Sequence, residues 1–165
     1  MFVRIVCIIQ ARMGSTRLPG KVAMDISGKT MLERVVERAR GIDGVNEVVV
    51  ATSTAASDDV LVGLCATIGS ACFRGSEEDV LDRYLGAAHA YNAQIVVRVT
   101  SDCPLLDPAV SSVVVRRFIE EQPDYATNSL DPTYLRGMDT EVIPKEGVPP
   151  QARRREAALG SLGWR

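Results

Sequence analysis

The residues best equipped for chemistry lie together in Gln10-Ala11-Arg12-Met13-Gly14-Ser15-Thr16-Arg17-Leu18-Pro19-Gly20-Lys21. Gly14 and Gly20 let backbone N–H groups approach an anion closely. Arg12, Arg17 and Lys21 supply positive charge, and Ser15 adds a hydroxyl. A string of this kind suits a triphosphate. Two familiar phosphate loops do not fit it. The P-loop needs four residues between its glycines and a Ser or Thr after the lysine. Here five residues separate Gly14 from Gly20 and Val22 follows Lys21. The dinucleotide fingerprint G-x-G-x-x-G is absent as well. The competing reading is a solvated basic loop without function, but cationic loops after strands of an α/β sheet are preferred ligand sites.

Alternating elements must position this loop. Residues 3–9 form a nearly continuous apolar, β-branched run, the pattern of a strand covered on both faces. Met31, Leu32, Val35, Val36 and Ala39 then repeat at helical spacing behind a Thr30/Glu33 capping box. A second strand is predicted over 47–52. The next helix is expected to be capped by Ser57 or Asp58 and stopped at Gly69. Residues 71–73 read as a short third strand, and Ser76 as the opening of a helix carrying Val80, Leu81, Tyr84, Leu85 and Ala88. A fourth strand over 95–100 lies next to the first. Asp107-Pro108 launches a helix to about Glu121, the aspartate as cap and the proline at the first helical position. Four such units predict an α/β three-layer sandwich with a mainly parallel sheet. Residues 125–127 and 140–143 add two short strands, so the sheet is mixed. The domain is expected to span 1–144. The tail 145–165, with Pro149-Pro150 and Arg153-Arg154-Arg155, reads as loosely structured or as one exposed helix.

Composition narrows the function classes. At 165 residues with 46% hydrophobic and 24% charged residues, the chain can bury a core without disulfides or metals. A formal net charge of -2 gives no general attraction for a polyanion, so nucleic acid is not an expected partner. The apolar start is too short to span a bilayer and is followed by no cleavage site, so neither a membrane span nor a signal peptide is expected. Cys7, Cys65, Cys72 and Cys103 form no CxxC pair and fall on apolar segments, as free thiols in a reducing cytoplasm do.

QARMGSTRLPGK resembles the signature loop of the cytidylyltransferases that act on acylneuraminate and 3-deoxy-manno-octulosonate, and most of all that of the spore-coat polysaccharide biosynthesis protein F group. GSEEDVLDRY (75–84) and RVTSDCPLLDP (98–108) resemble that group's other two motifs, in the same order, and the likeness runs to about Val142. It implies a nucleotide-diphospho-sugar transferase fold and the joining of CMP from CTP to a sugar or sugar acid, with pyrophosphate released. Arg12 and Lys21 match the family's triphosphate-binding positions, helped by Ala11, Gly14, Ser15 and Arg17 of the same loop. Asp102, in Ser101-Asp102-Cys103-Pro104, matches its magnesium-binding aspartate, with serine where the group usually has glycine. Magnesium takes one or two carboxylates plus substrate phosphates, so one strand-end aspartate is consistent with that role. On its own, an aspartate before Cys103-Pro104 could equally form a turn.

The family places 74–79 near the base, which brings in Arg74 and Ser76, and the end of the second strand adds Thr52 and Ser53. Gly75 to Asp79 is otherwise an acidic helix start. Asp139 and Glu141 resemble a segment near the sugar; as alternating residues of an edge strand they would simply face outward. Arg98 sits inside a strand and fits a buried structural pair. His89 is assigned no role. Family members continue beyond this length, with more of the sugar pocket, dimer contacts that would make a homodimer and a second metal aspartate, and residues 145–165 resemble none of it. The expectation is therefore CTP binding with poor transfer, or a non-catalytic nucleotide- or sugar-binding remnant.

Overall fold

The computed structural model describes residues 3–15, 17–130 and 133–147. The chain runs β1 (Ile5–Gln10), β2 (Asp25–Ile26), β3 (Lys29–Thr30), α1 (Met31–Ala39), β4 (Glu47–Ser53), α2 (Asp59–Thr67), β5 (Ala71–Gly75), α3 (Val80–Ala90), β6 (Ile95–Thr100), α4 (Pro108–Glu121), β7 (Ala126–Thr127) and β8 (Glu141–Pro144). Short 3-10 turns occupy Lys21–Ala23, Ala56–Asp58 and Lys145–Gly147. The main sheet has the order β5-β4-β1-β6-β8-β7. Its first four strands are parallel, and β8 and β7 add antiparallel pairings. This is the mixed, mainly parallel α/β sandwich expected.

Strand alternation builds the two layers of core. Ile5, Cys7 and Ile9 of β1 face one side with Val97 and Val99, packed under α1, α2 and α4 through Leu32, Val36, Leu61 and Phe118. Val6 and Ile8 face the other side with Val49 and Val96, covered by Tyr84, Ala87 and Ala88 of α3. Period-2 alternation in continuous apolar strands is what burial on both faces produces. β1, central and flanked by β4 and β6, has residues Ile5 to Ile9 essentially inaccessible. Among the described residues no helix is long and apolar enough to cross a membrane. Cys7 and Cys65 are buried free thiols, and Cys72 and Cys103 are half-buried free thiols.

Local capping accounts for most helix starts. Thr30 Oγ1 accepts the Glu33 N–H at 3.2 Å, and Asp107 Oδ1 accepts the Ala109 N–H at 2.8 Å ahead of Pro108. Several expectations shift. Val3 is 44% exposed and lies outside β1, which instead extends to Gln10. A β2–β3 hairpin, unread in the sequence, turns through Ser27 and Gly28, both at positive φ. α3 does not open at Ser76. Asp79 caps it, accepting the Asp82 N–H at 2.9 Å, while Ser76 Oγ accepts the Asp79 N–H in the preceding turn. Neither Ser57 nor Asp58 makes a side-chain cap on α2, because the Asp58 carboxylate turns inward. Glu141 is not on an edge strand either: β8 lies between β6 and β7. Of the tail expected over 145–165, residues 148–165 lie outside the described residues.

Candidate active site

The order β4-β1-β6 makes a topological switch point, since the chain leaves β1 for β4 on one side and later returns to β6 on the other. Open α/β sheets hold ligands in the crevice outside the carboxyl ends of such strands. Gln10 and Thr100, the last residues of β1 and β6, pair in register. The loop after β1 and the turn after β6 therefore start at the same level and face one another. Between them lies a cleft of about 290 Å³ lined by Gln10, Arg12, Ser15, Arg17, Lys21, Val22, Arg98, Thr100, Ser101 and Asp102.

The β1 loop is closed by its own backbone. Gly20, at φ 71, begins the 3-10 turn that carries Lys21. This left-handed conformation strains any residue with a Cβ. The Lys21 ammonium lies 2.6 Å from Asp102 Oδ2 and joins the two sides of the cleft. Burial pushes the Asp102 carboxyl up, but the Lys21 bond and the Thr100 hydroxyl outweigh it and hold its pKa below the ordinary value. Arg12 and Arg17 are exposed in the same cleft, where Asp102 is the one acidic lining residue among those described. An excess of cations facing a single carboxylate suits a polyphosphate brought with a divalent cation. Among the described residues no group of three His, Cys, Asp or Glu could cage a metal by itself. A hard cation shared with substrate oxygens fits, because Asp102 offers the single carboxylate such a site needs.

The structure brings Arg12, Ser15, Arg17, Lys21 and Asp102 together and places the other expected residues outside this cleft. Ala11 is buried and its N–H donates to the Ala51 carbonyl at 3.1 Å. Gly14 stands exposed in the loop. Thr52 and Ser53 are buried at the end of β4, and the Ser53 hydroxyl donates to Asp58 at 2.5 Å. Arg74 is tied to the Ser53 and Ala55 carbonyls, both at 3.0 Å, and to Asp59 at 2.7 Å. Ser76 holds the turn before α3. Glu141 pairs with Arg98, whose guanidinium also lies 5.8 Å from the Tyr84 ring centroid. Arg98 is held in this pair as its strand position suggests, and it also lines the cleft. Asp139 is exposed, and the Asn128 side chain clamps both its neighbours by donating to the Met138 carbonyl and accepting from Thr140 N–H.

Residues 6–141 match the cytidylyltransferase family. The chain belongs to that family. It is 39% identical over 125 residues to the spore coat polysaccharide biosynthesis protein SpsF of Bacillus subtilis, covering 73% of this chain and 52% of that protein. It is 38% identical over 130 residues to the 3-deoxy-manno-octulosonate cytidylyltransferase of Solibacter usitatus, covering 77% of this chain and 49% of the relative. A cytidylyltransferase structure from Leptospira borgpetersenii superposes with a TM-score of 0.81 at 35% identity, covering 98% of this chain and 66% of that one. The chain thus spans about half the length of these curated relatives.

Two residues to which sequence reasoning gave no part in the site brace the segments around the cleft. Asp58 is 2% exposed and accepts the Met13 N–H at 2.8 Å, which links the cationic loop to the rest of the domain. Arg83 is fully buried and donates to the Ser76 carbonyl at 2.5 Å, fixing the 75–79 segment. Burial holds the Arg83 pKa below the ordinary arginine value. Asp58 reads as a helix cap and Arg83 as one more polar residue of an amphipathic helix. No local signal separates Asp58 from a solvated cap, whereas the one signal for Arg83 is its place in the GSEEDVLDRY string.

The Arg98–Glu141 pair gives a test of the structural reading. Glu141→Gln is expected to cost about 2–3 kcal/mol, below the roughly 3–5 kcal/mol of a fully buried pair, because both side chains retain some exposure. Denaturant unfolding of the variant checks the value. Nucleotide affinity of the folded fraction is expected to change less than about threefold, a free-energy effect well under 1.4 kcal/mol.

Proposed function

We propose that this chain is the nucleotide-binding part of an enzyme that transfers CMP from CTP to a sugar or sugar acid for cell-surface polysaccharide synthesis, releasing pyrophosphate. The observation that carries the reading is the convergence of Lys21 and Asp102 at the β1/β6 switch point of a cytidylyltransferase-family fold. Arg12 and Lys21 bind the triphosphate, with Ser15 and Arg17 beside them and backbone groups of Ala11 and Gly14 in the same loop. Asp102 holds magnesium, which when bound neutralises charge on the phosphate oxygens. The end of β4, with Thr52 and Ser53, and the segment with Arg74 and Ser76 frame the base. Asp139, exposed and clamped by Asn128, faces the sugar, while Glu141 serves through Arg98.

In the reaction the acceptor's hydroxyl oxygen forms a bond to the α-phosphorus as the bond to the bridging oxygen of pyrophosphate breaks. The hydroxyl proton is lost to solvent. The protein's contribution is to position and to stabilise charge, the cations that line the cleft meeting the charge that the leaving pyrophosphate gains. Binding without turnover is the second reading, favoured by Asp102 being the lone carboxylate of the cleft among the described residues. Pyrophosphate release measured with CTP, magnesium and a panel of sugar acids separates the two. Acceptor-dependent release on the order of 1–10³ per second would mark the chain as sufficient for transfer and overturn the expectation of poor turnover. Saturable CTP binding with no release from any acceptor would assign the chain to binding alone.

A further inference from the structure

Met13 is the pivot of the cationic loop. Its carbonyl accepts from Ser15 N–H and from Gly20 N–H, both at 2.9 Å, so the loop folds back upon one residue. The pivot is itself moored by its own N–H, which donates to Asp58 Oδ1 at 2.8 Å. The second oxygen, Asp58 Oδ2, accepts the Ser53 hydroxyl at 2.5 Å and the Ser53 N–H at 3.2 Å. One carboxylate thus ties the loop after β1 to the end of β4.

This arrangement is not that of an ordinary helix start. Asp58 occupies the position before α2 where an aspartate usually accepts a helix N–H, yet it makes no such bond. A cap of that type is typically worth about 1 kcal/mol. The carboxylate is turned away from its own helix and buried at 2% exposure. Burying a charge is costly unless it is hydrogen-bonded, and here three donors converge on it. Burial pushes its pKa up, but the Met13 and Ser53 bonds outweigh this and hold it below the ordinary aspartate value.

We propose that Asp58 is a positioning residue for the nucleotide loop, acting through Met13 to hold Arg12, Ser15, Arg17 and Lys21 toward the cleft. It has no contact with substrate. The proposal rests on the reading of this cleft as a nucleoside triphosphate site. Its physical logic is preorganisation: a loop already closed around Met13 and moored to β4 loses less conformational freedom when it grips phosphates.

Amide hydrogen exchange and CTP calorimetry on Asp58→Asn test it. The asparagine carbonyl can serve only one side: facing Ser53 it turns the NH₂ against the Met13 N–H, and facing Met13 it turns the NH₂ against the Ser53 N–H, so in either orientation the tie between the loop and β4 is broken. Exchange at Met13, Ser15 and Gly20 is expected to speed up at least about tenfold while amides of β1 and β6 stay unchanged. CTP affinity is expected to fall by about 10–100-fold, the effect of losing one hydrogen bond to a charged group. In the parent protein without ligand, the Met13 amide is expected to be protected, a measurement that decides the matter should the variant fail to fold. Unaltered loop exchange in Asp58→Asn, an unprotected Met13 amide in the parent, or faster exchange with unaltered CTP affinity would each overturn the proposal. A parent protein that binds no CTP would instead overturn the reading of the cleft, and the exchange data would still decide the role of Asp58.

Discussion

Lys21→Ala is expected to reduce CTP affinity sharply while leaving the fold intact. The Lys21 ammonium reaches into the cleft, and its partner there is Asp102, a surface-accessible carboxylate that is not part of the core. A lysine aimed at phosphate acts as a compact point charge, so alanine removes the charge and little packing. Where turnover is measured, loss of one such electrostatic contact is expected to cost on the order of 10²–10³ in rate. Thermal unfolding should stay close to the parent's, because an exposed ion pair typically contributes less than about 1 kcal/mol. Calorimetry checks the affinity. Unchanged CTP binding by the variant would remove Lys21 from the phosphate site.

Asp102→Asn is expected to uncouple CTP binding from magnesium. The amide preserves the shape of the turn after β6 but lacks the charge a hard cation needs. It also removes the ionic partner of Lys21, so the variant should bind CTP in the absence of magnesium at least as well as the parent does. In the parent, magnesium should strengthen CTP binding by a factor in the range of about 5–150, the span usual for two coupled ligands. In the variant that factor should fall close to one. Equal magnesium titrations for parent and variant would exclude Asp102 as the metal ligand.

The parts that sequence reasoning reached are those ruled by local pattern. β1, β4 and β6 follow from dense β-branched runs, α1 from Thr30 and its apolar spacing, and α4 from Asp107-Pro108. The facing of Lys21 and Asp102 follows because the loop that carries Lys21 and the turn that carries Asp102 leave the ends of neighbouring parallel strands. The remainder depends on long-range choices between equally good local options. Ser76 and Asp79 are both capping residues three apart, and only packing in the 75–79 turn selects Asp79. Glu141 could face solvent or a partner, and the register of β8 on β6, which sets it directly opposite Arg98, decides for the pair. Asp58 has a strong local alternative as a cap, and only the arrival of Met13 and Ser53 explains its inward turn. Thr52 and Ser53 lie at the end of β4 as read, but their side chains are buried, so any contact they make with a base is through backbone.

Calorimetric titration of the chain with CTP, in the presence and absence of magnesium, tests most directly whether the β1/β6 cleft is a nucleotide site. The expected result is saturable binding of one CTP per chain, strengthened by magnesium and sharply weakened by Lys21→Ala. No saturable binding, or binding indifferent both to magnesium and to the loss of Lys21, would contradict it.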